Sequence, residues 1–271
     1  MTSETGTMAM TTEAEADAGA KARDGRVQAV GIAAGFLGVL ADAEQALTLG
    51  EIARRMGAGR STAHRYLQSL VREGLAQQDP ASGHYDLGPL ALSIGIAALR
   101  RVDPVEIAGR HMKELALRHA MSAGVAIWTE RGPTVVRWHS SAYFSISAVG
   151  LGAILPVDNT ACGLVCQAHL PPAAIARARE AQPAHFRGAA PQEALIAQVR
   201  AEDWCELRSH LLSNVAGEAA PIFDAQGALA CVITSVADLG QSRSAEDLLA
   251  LREAARAINL ETGGTRARTG R

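Results

Sequence analysis

Leu47-Thr48-Leu49-Gly50-Glu51-Ile52-Ala53-Arg54-Arg55-Met56 runs into Gly57-Ala58-Gly59 and then into Arg60-Ser61-Thr62-Ala63-His64-Arg65-Tyr66-Leu67. This pattern predicts a helix over 48–56, a tight turn, and a second helix over 60–73. Thr48 and Glu51 fit a capping box, in which hydroxyl and carboxylate satisfy each other's orphan backbone donors, and Leu47 and Ile52 fit a hydrophobic staple. The glycines end the helix because glycine takes the left-handed conformation at little steric cost. The second helix has two unlike faces. Ala63, Leu67, Leu70 and Val71 form an apolar stripe, while Arg60, Ser61, His64, Arg65, Gln68 and Arg72 point the other way. A short helix, a glycine turn and a donor-rich second helix are the parts of a helix-turn-helix.

The flanks extend this unit. Upstream, Val27, Val30, Ala34, Leu37 and Ala41 recur at helical spacing. Downstream, Leu75–Gln78 and His84–Leu87 read as strands joined by the turn Asp79-Pro80-Ala81-Ser82-Gly83, a hairpin placed where a wing belongs. The expected DNA-facing residues are Arg60, Ser61, Thr62, His64, Arg65, Gln68 and Arg72, with His84 and Tyr85 from the wing. Arg and Gln can bond base edges in pairs, and Ser, Thr and Arg can hold phosphates. Helices with Arg on the wet face are common by themselves; the ordered set of capped helix, turn, polar-faced helix and hairpin points to DNA. The whole chain carries a formal net charge of −2. Any contact with nucleic acid must therefore be local, and Arg54, Arg55, Arg60, Arg65 and Arg72 outnumber Glu51 and Glu73 at the right place.

The chain has 271 residues, enough for two domains. Its four cysteines, Cys162, Cys166, Cys205 and Cys231, are too few for a disulfide framework and point to a reducing cytoplasm. The longest apolar stretch, 29–41, falls short of the ~18 residues of a membrane span, and no signal peptide is laid out at the start. No membrane partner is expected. Residues 1–25, rich in Ala, Thr, Glu and Asp, read as a disordered leader, and 262–271 as a flexible basic tail.

In the second half, 125–128, 134–138 and 230–236 read as strands, and 104–120, 160–169, 173–180, 192–204 and 245–260 as helices. A sheet flanked by helices, with a concave pocket at strand ends, is the expected architecture. Gly152, Ala153 and Ile154, together with Asn159, Thr160 and Ala161 at a helix start, form the candidate effector site. Glycine lets backbone approach a ligand, and helix N-terminal N–H groups favour an anion such as a carboxylate. The plainer alternative is that the glycines only turn the chain and Thr160 only caps a helix. Cys162, Cys166 and His169 share a helical face suited to a metal, but no fourth ligand is spaced to join them, and core packing accounts for them. Asp158, Cys162 and His139 could be imagined as a nucleophilic triad. No nucleophile elbow and no phosphate- or dinucleotide-binding glycine loop accompanies them, so no enzyme, metal or cofactor is expected.

The segments 47–55 and 60–67, with the wing ending Tyr85-Asp86-Leu87-Gly88, resemble the winged helix-turn-helix of the IclR family of bacterial regulators. Leu90–Arg101 looks like that family's linker helix. Gly152-Ala153-Ile154-Leu155-Pro156 followed by Thr160-Ala161-Cys162-Gly163 is similar to its effector-domain signature, and Ala219–Gly227 to its late strand-turn-strand. The resemblance implies an α+β protein: a winged domain over 26–88, a linker helix over 89–102 and a GAF-like α/β effector-binding domain over 103–261. It also implies Ser235 as an effector contact, a homodimer or dimer of dimers, and a palindromic operator in double-stranded DNA. Two-fold symmetry is the usual route to adequate affinity when one winged unit reads few base pairs. Two departures stand out. Leu164 occupies a position that is usually basic, and the 211–218 loop reads as shortened. The expected function is a repressor of a catabolic or transport operon, released by a small carboxylate. Ligand-dependent activation, or a second domain that only dimerises, stays open.

Overall fold

The computed structural model describes residues 28–141, 149–186, 188–209 and 214–264. The expected leader, residues 265–271 of the expected tail, and residues 211–213 of the expected loop lie outside them. The chain divides into two compact units at Arg100/Arg101.

The first unit contains α1 (Gln28–Ala41), α2 (Leu49–Met56), α3 (Arg60–Arg72), β1 (Ala76–Gln78), β2 (Tyr85–Leu87) and α4 (Pro89–Leu99). The capping box closes as the sequence suggests: the Glu51 N–H donates to Thr48 Oγ1 at 3.3 Å and the Thr48 N–H to Glu51 Oε2 at 2.9 Å. Gly57, at φ +61°, is the left-handed cap that ends α2, which turns the chain sharply enough for α3 to start at Arg60. Phe36, Leu40, Ile52, Ala63, Leu67, Leu70 and Tyr85 fill the core between the three helices and the hairpin. β1 and β2 pair antiparallel, and β2 is also tied to the start of α2, with the Tyr85 N–H donating to the Leu47 carbonyl at 2.8 Å. α4 begins at Pro89, which suits a first helical turn because its missing N–H would have no partner there. It has no charged residue and buries none of its residues.

The second unit contains α5 (Pro104–Arg118), β3 (Met121–Thr129), β4 (Gly132–His139), α6 (Ala161–His169), α7 (Pro172–Ala181), a short 3₁₀ turn (Ala184–Phe186), α8 (Glu193–Glu202), β5 (Cys205–Arg208), β6 (Val215–Phe223), β7 (Leu229–Asp238) and α9 (Ala245–Thr262). The strands form one antiparallel sheet in the order β4-β3-β7-β6-β5. Ala123, Val125, Ala220, Ile222 and Ile233 point to the face covered by α5 and α9. Ala126, Val135, Ala219 and Val232 point to the face covered by α6 and its neighbours. The mixed α+β architecture with a helix-flanked sheet follows from this sandwiching.

Two strands depart from the expected pattern. Residues 215–218 do not belong to a shortened loop; they open β6, which runs nine residues. Its Ala-Gly-Glu-Ala-Ala sequence lacks the β-branched run that marks an ordinary strand. A strand buried between two helical layers needs small side chains more than intrinsic preference, so tertiary packing overrides propensity here. β5 follows the helix that was expected to reach Trp204 and now ends at Glu202.

Candidate DNA interface and effector site

On α3 the apolar side is closed and the polar side is open. Ala63, Leu67 and Leu70 are buried, whereas Arg60, Ser61, His64, Arg65 and Arg72 are exposed and Thr62 is half-buried. His84 lies half-buried on the wing. These donors share one helix face because three- and four-residue steps bring side chains back to the same side.

Two residues expected on this surface do something else. Tyr85 is 1% exposed, and its ring belongs to the core beneath the hairpin rather than to a DNA-facing surface. Strand alternation explains the reversal: once Leu47 and Gln78 pair with Tyr85, its side chain must fall on the inner face. Gln68 is half-buried, and its amide donates to the Tyr85 hydroxyl at 3.3 Å and to Gln78 Oε1 at 3.4 Å. It therefore ties the helix to the wing.

In the second unit, Gly152, Ala153 and Ile154 run beside β4. The Gly152 N–H donates to the Val135 carbonyl at 2.8 Å, the Val135 N–H to the Ala153 carbonyl at 2.9 Å, and Ile154 bridges Thr134. Gly152, at φ +80°, holds a conformation that a side chain would strain. The chain then reaches α6 through Leu155–Asn159. Thr160 caps that helix, accepting from the Gly163 N–H at 3.0 Å and donating to the Pro156 carbonyl at 2.7 Å. A Cβ on Gly163 would collide with the Val157 and Pro156 carbonyls, so this glycine lets the helix start sit directly on the preceding loop. Gly152, Ala153 and Ile154 thus lie beside β4, Thr160 and Ala161 start α6, and the Asn159 side chain donates to the Phe186 carbonyl at 3.4 Å.

Ser235 is not brought to them. It is 1% exposed and points to the α5/α9 face, where its hydroxyl donates to Glu218 Oε2 at 2.8 Å. The sheet separates it from the glycine segment. Its neighbour Thr234 faces α6 and the Cys162 thiol instead, and its hydroxyl donates to the Glu218 carbonyl at 2.7 Å. Period-two alternation guarantees that 234 and 235 point opposite ways, but not which of them meets α6.

The residues that hold the Leu155–Thr160 turn carry no sequence motif. Gln182, 4% exposed, accepts from the Val157 N–H at 3.0 Å and donates to the Leu155 and Arg131 carbonyls, both at 2.9 Å. Asp158 is bound in a fork by Arg179 at 2.7–3.1 Å, and the Asp158 carboxylate holds the guanidinium pKa up. Cys162 and Cys166 are buried in the core; desolvation pushes the Cys162 thiol up to about 11 and raises Cys166 well above its ordinary value. Neither thiol is poised as a nucleophile. His169 lies 3.2 Å from Asp203 and edge-on to Phe223. Among the described residues no helix is long and apolar enough to cross a membrane.

Fold and surfaces together define a winged helix-turn-helix protein with a separate α/β unit. Residues 29–80 match the IclR helix-turn-helix domain, and residues 96–260 match the bacterial transcriptional regulator IclR C-terminal domain. The chain belongs to the IclR family of bacterial transcriptional regulators, and it is a DNA-binding regulator. It is 32% identical over 206 residues to the glycerol operon regulatory protein of Streptomyces griseus, covering 73% of this chain and 80% of that one. To the protein of the same name in Streptomyces coelicolor it is 29% identical over 254 residues, covering 89% and 98%. The crystal structure of Pseudomonas aeruginosa HmgR is similar at a TM-score of 0.76 with 30% identity, covering 89% of this chain and all of that one.

Proposed function

We propose that this regulator is a repressor of a catabolic or transport operon and leaves its operator when a small carboxylate binds the second unit. The observation that carries this reading is the pairing of an exposed Arg60–Arg72 donor face in one unit with the glycine-lined Gly152–Ala161 segment at a helix N-terminus in the other. In the related Streptomyces proteins the controlled unit is a glycerol operon, which supports control of carbon-source genes here. The working form is a homodimer or dimer of dimers on a palindromic operator, in the cytoplasm, without catalysis. Leu92, Ile94, Ile96 and Leu99 of α4 are 42–65% exposed on a helix without a charge, a surface that suits a second copy. Effector binding then shifts the balance between an operator-matched and a mismatched placement of the two α3 helices, a coupling of ~1–3 kcal/mol in typical cases.

Gel shifts with the intergenic DNA upstream of the gene, run across a salt series, test the reading. Binding is expected to weaken about ten-fold or more in Arg65→Ala, the usual discrimination of one base-reading arginine. Unchanged binding would exclude α3 as the reader. A thermal-shift panel of small carboxylates, with glycerol alongside, tests the sensor: a carboxylate that raises the melting temperature and releases the DNA is expected. A carboxylate that tightens DNA binding would make the protein an activator.

A further inference from the structure

A second recess lies on the opposite side of the sheet from Gly152–Ala161. It is a cleft of about 510 Å³ between α9 and the β6 edge, within the ~300–1,000 Å³ range of small-molecule sites. It is lined by Ala220, Ala255 and the backbone of Pro221 and Phe223, and Trp204 stands at one side. The Arg252 guanidinium stacks over that indole, with Cζ 4.5 Å from the ring centre. Arg256, one helical turn on, lines the same wall. Asn259 makes this wall rigid: it accepts from the Phe223 N–H at 2.9 Å and donates to the Pro221 and Ala255 carbonyls at 3.2 and 3.0 Å.

The charges in the cleft are unevenly satisfied. On the far rim, Glu202 accepts from Gln198 at 2.9 Å and Asp203 lies 3.2 Å from His169. Arg252 and Arg256 meet no carboxylate among the described residues. Two forked donors that meet no acid, beside an indole, match a ligand that is planar and carries a carboxylate.

We propose that this cleft is a second small-molecule site, separate from the Gly152–Ala161 segment, and that it takes a small aromatic carboxylate. The ring lies beside Ala220 and Ala255 against the Trp204–Arg252 stack, and the carboxylate pairs with Arg252 and Arg256. Benzoate is the direct probe, with benzamide as its neutral isostere. The chain has three tryptophans; Trp128 and Trp138 pack on the α6 side of the sheet and Trp204 on the α9 side. With 5-fluorotryptophan incorporated, benzoate is expected to move the ¹⁹F resonance of Trp204, assigned by Trp204→Phe, and benzamide is not. By calorimetry, Arg252→Gln with Arg256→Ala is expected to weaken benzoate about ten-fold or more, the loss of a charge-assisted fork. Arg256 is exposed, so Arg256→Ala alone serves if the double variant fails to fold. The proposal falls if benzoate does not bind, if benzamide binds equally, if only Trp128 or Trp138 responds, or if the arginine variants keep full affinity. A change of oligomeric state in those variants at unchanged benzoate affinity would make the cleft an interface instead.

Discussion

The hydroxyl of Tyr85 stands 3.3 Å from the side-chain amide of Gln68, so a buried wing residue and a half-exposed recognition-helix residue share one hydrogen bond. That bond ties the hairpin to α3. Tyr85→Phe keeps the ring and removes only the acceptor. It is expected to lower stability by ~0.5–1.5 kcal/mol, the net worth of such a bond, and to weaken operator binding a few-fold by fluorescence anisotropy at fixed salt. Tyr85→Ala empties the core and should cost ~3–5 kcal/mol, seen as loss of the first unit's thermal transition. If Tyr85→Phe leaves operator affinity untouched, the bond does not set the wing.

Gln182 holds the turn that leads into α6 through three backbone groups. In Gln182→Ala those buried groups lose their partners, at ~1–3 kcal/mol for an unsatisfied group. Amide hydrogen exchange is the measurement: Val157 should exchange faster while the central strands β3 and β7 keep their protection. Uniform loss of protection would mean the residue supports the whole unit, not the turn.

Glu218 and Arg243 form an ion pair at 2.8 Å whose side chains are 3% and 10% exposed. Removing one partner leaves the other charge buried, so Glu218→Gln is expected to destabilise by ~3–5 kcal/mol. Replacing both, with Glu218→Leu and Arg243→Met, should recover most of that loss, because the pair's attraction largely offsets its desolvation. Urea unfolding of the two variants beside the wild type decides. Equal losses in single and double variants would show that the two side chains are not coupled.

Acid should weaken the α5–α9 contact through Asp247. Burial by itself would raise this carboxyl, but hydrogen bonds from His119, at 2.7 Å, and from Ser244 outweigh it and hold it below the ordinary value of 3.8. A carboxyl depressed in the folded state contributes stability that is present above its unfolded value and lost as pH falls through the folded one. Urea midpoints should therefore fall below about pH 4 in the wild type, and the fall should be shallower in Asp247→Asn. A parallel fall in both proteins would assign the acid sensitivity to other groups.

Short-range chemistry was readable along the chain. The Thr48–Glu51 box, the Gly57 stop, the apolar stripe of α3 and the cap at Thr160 involve residues within four positions of one another, and local backbone geometry decides them. The helices of the second unit were readable for the same reason. β6 was not, because Val215–Phe223 is a strand by virtue of the layers that enclose it.

Face and partnership were settled only by folding. Alternation along β2 and β7 put Tyr85 and Ser235 each on one of two sides, and nothing within either strand distinguishes those sides. Pairing with Leu47 turned Tyr85 inward, and packing of α9 turned Ser235 toward Glu218 and away from the glycine segment. Gln182 reached the Leu155–Val157 turn across 25 positions, a contact no local pattern encodes. The exposed donors of α3 belong to one helix and were readable in the sequence, except that Gln68 turns to Tyr85 and Gln78 across the hairpin. The candidate effector segment Gly152–Ala161 was also read from the sequence, whereas its seat beside β4 came only with the tertiary structure, because Val135 meets Gly152 and Ala153 through bonds between distant backbone groups.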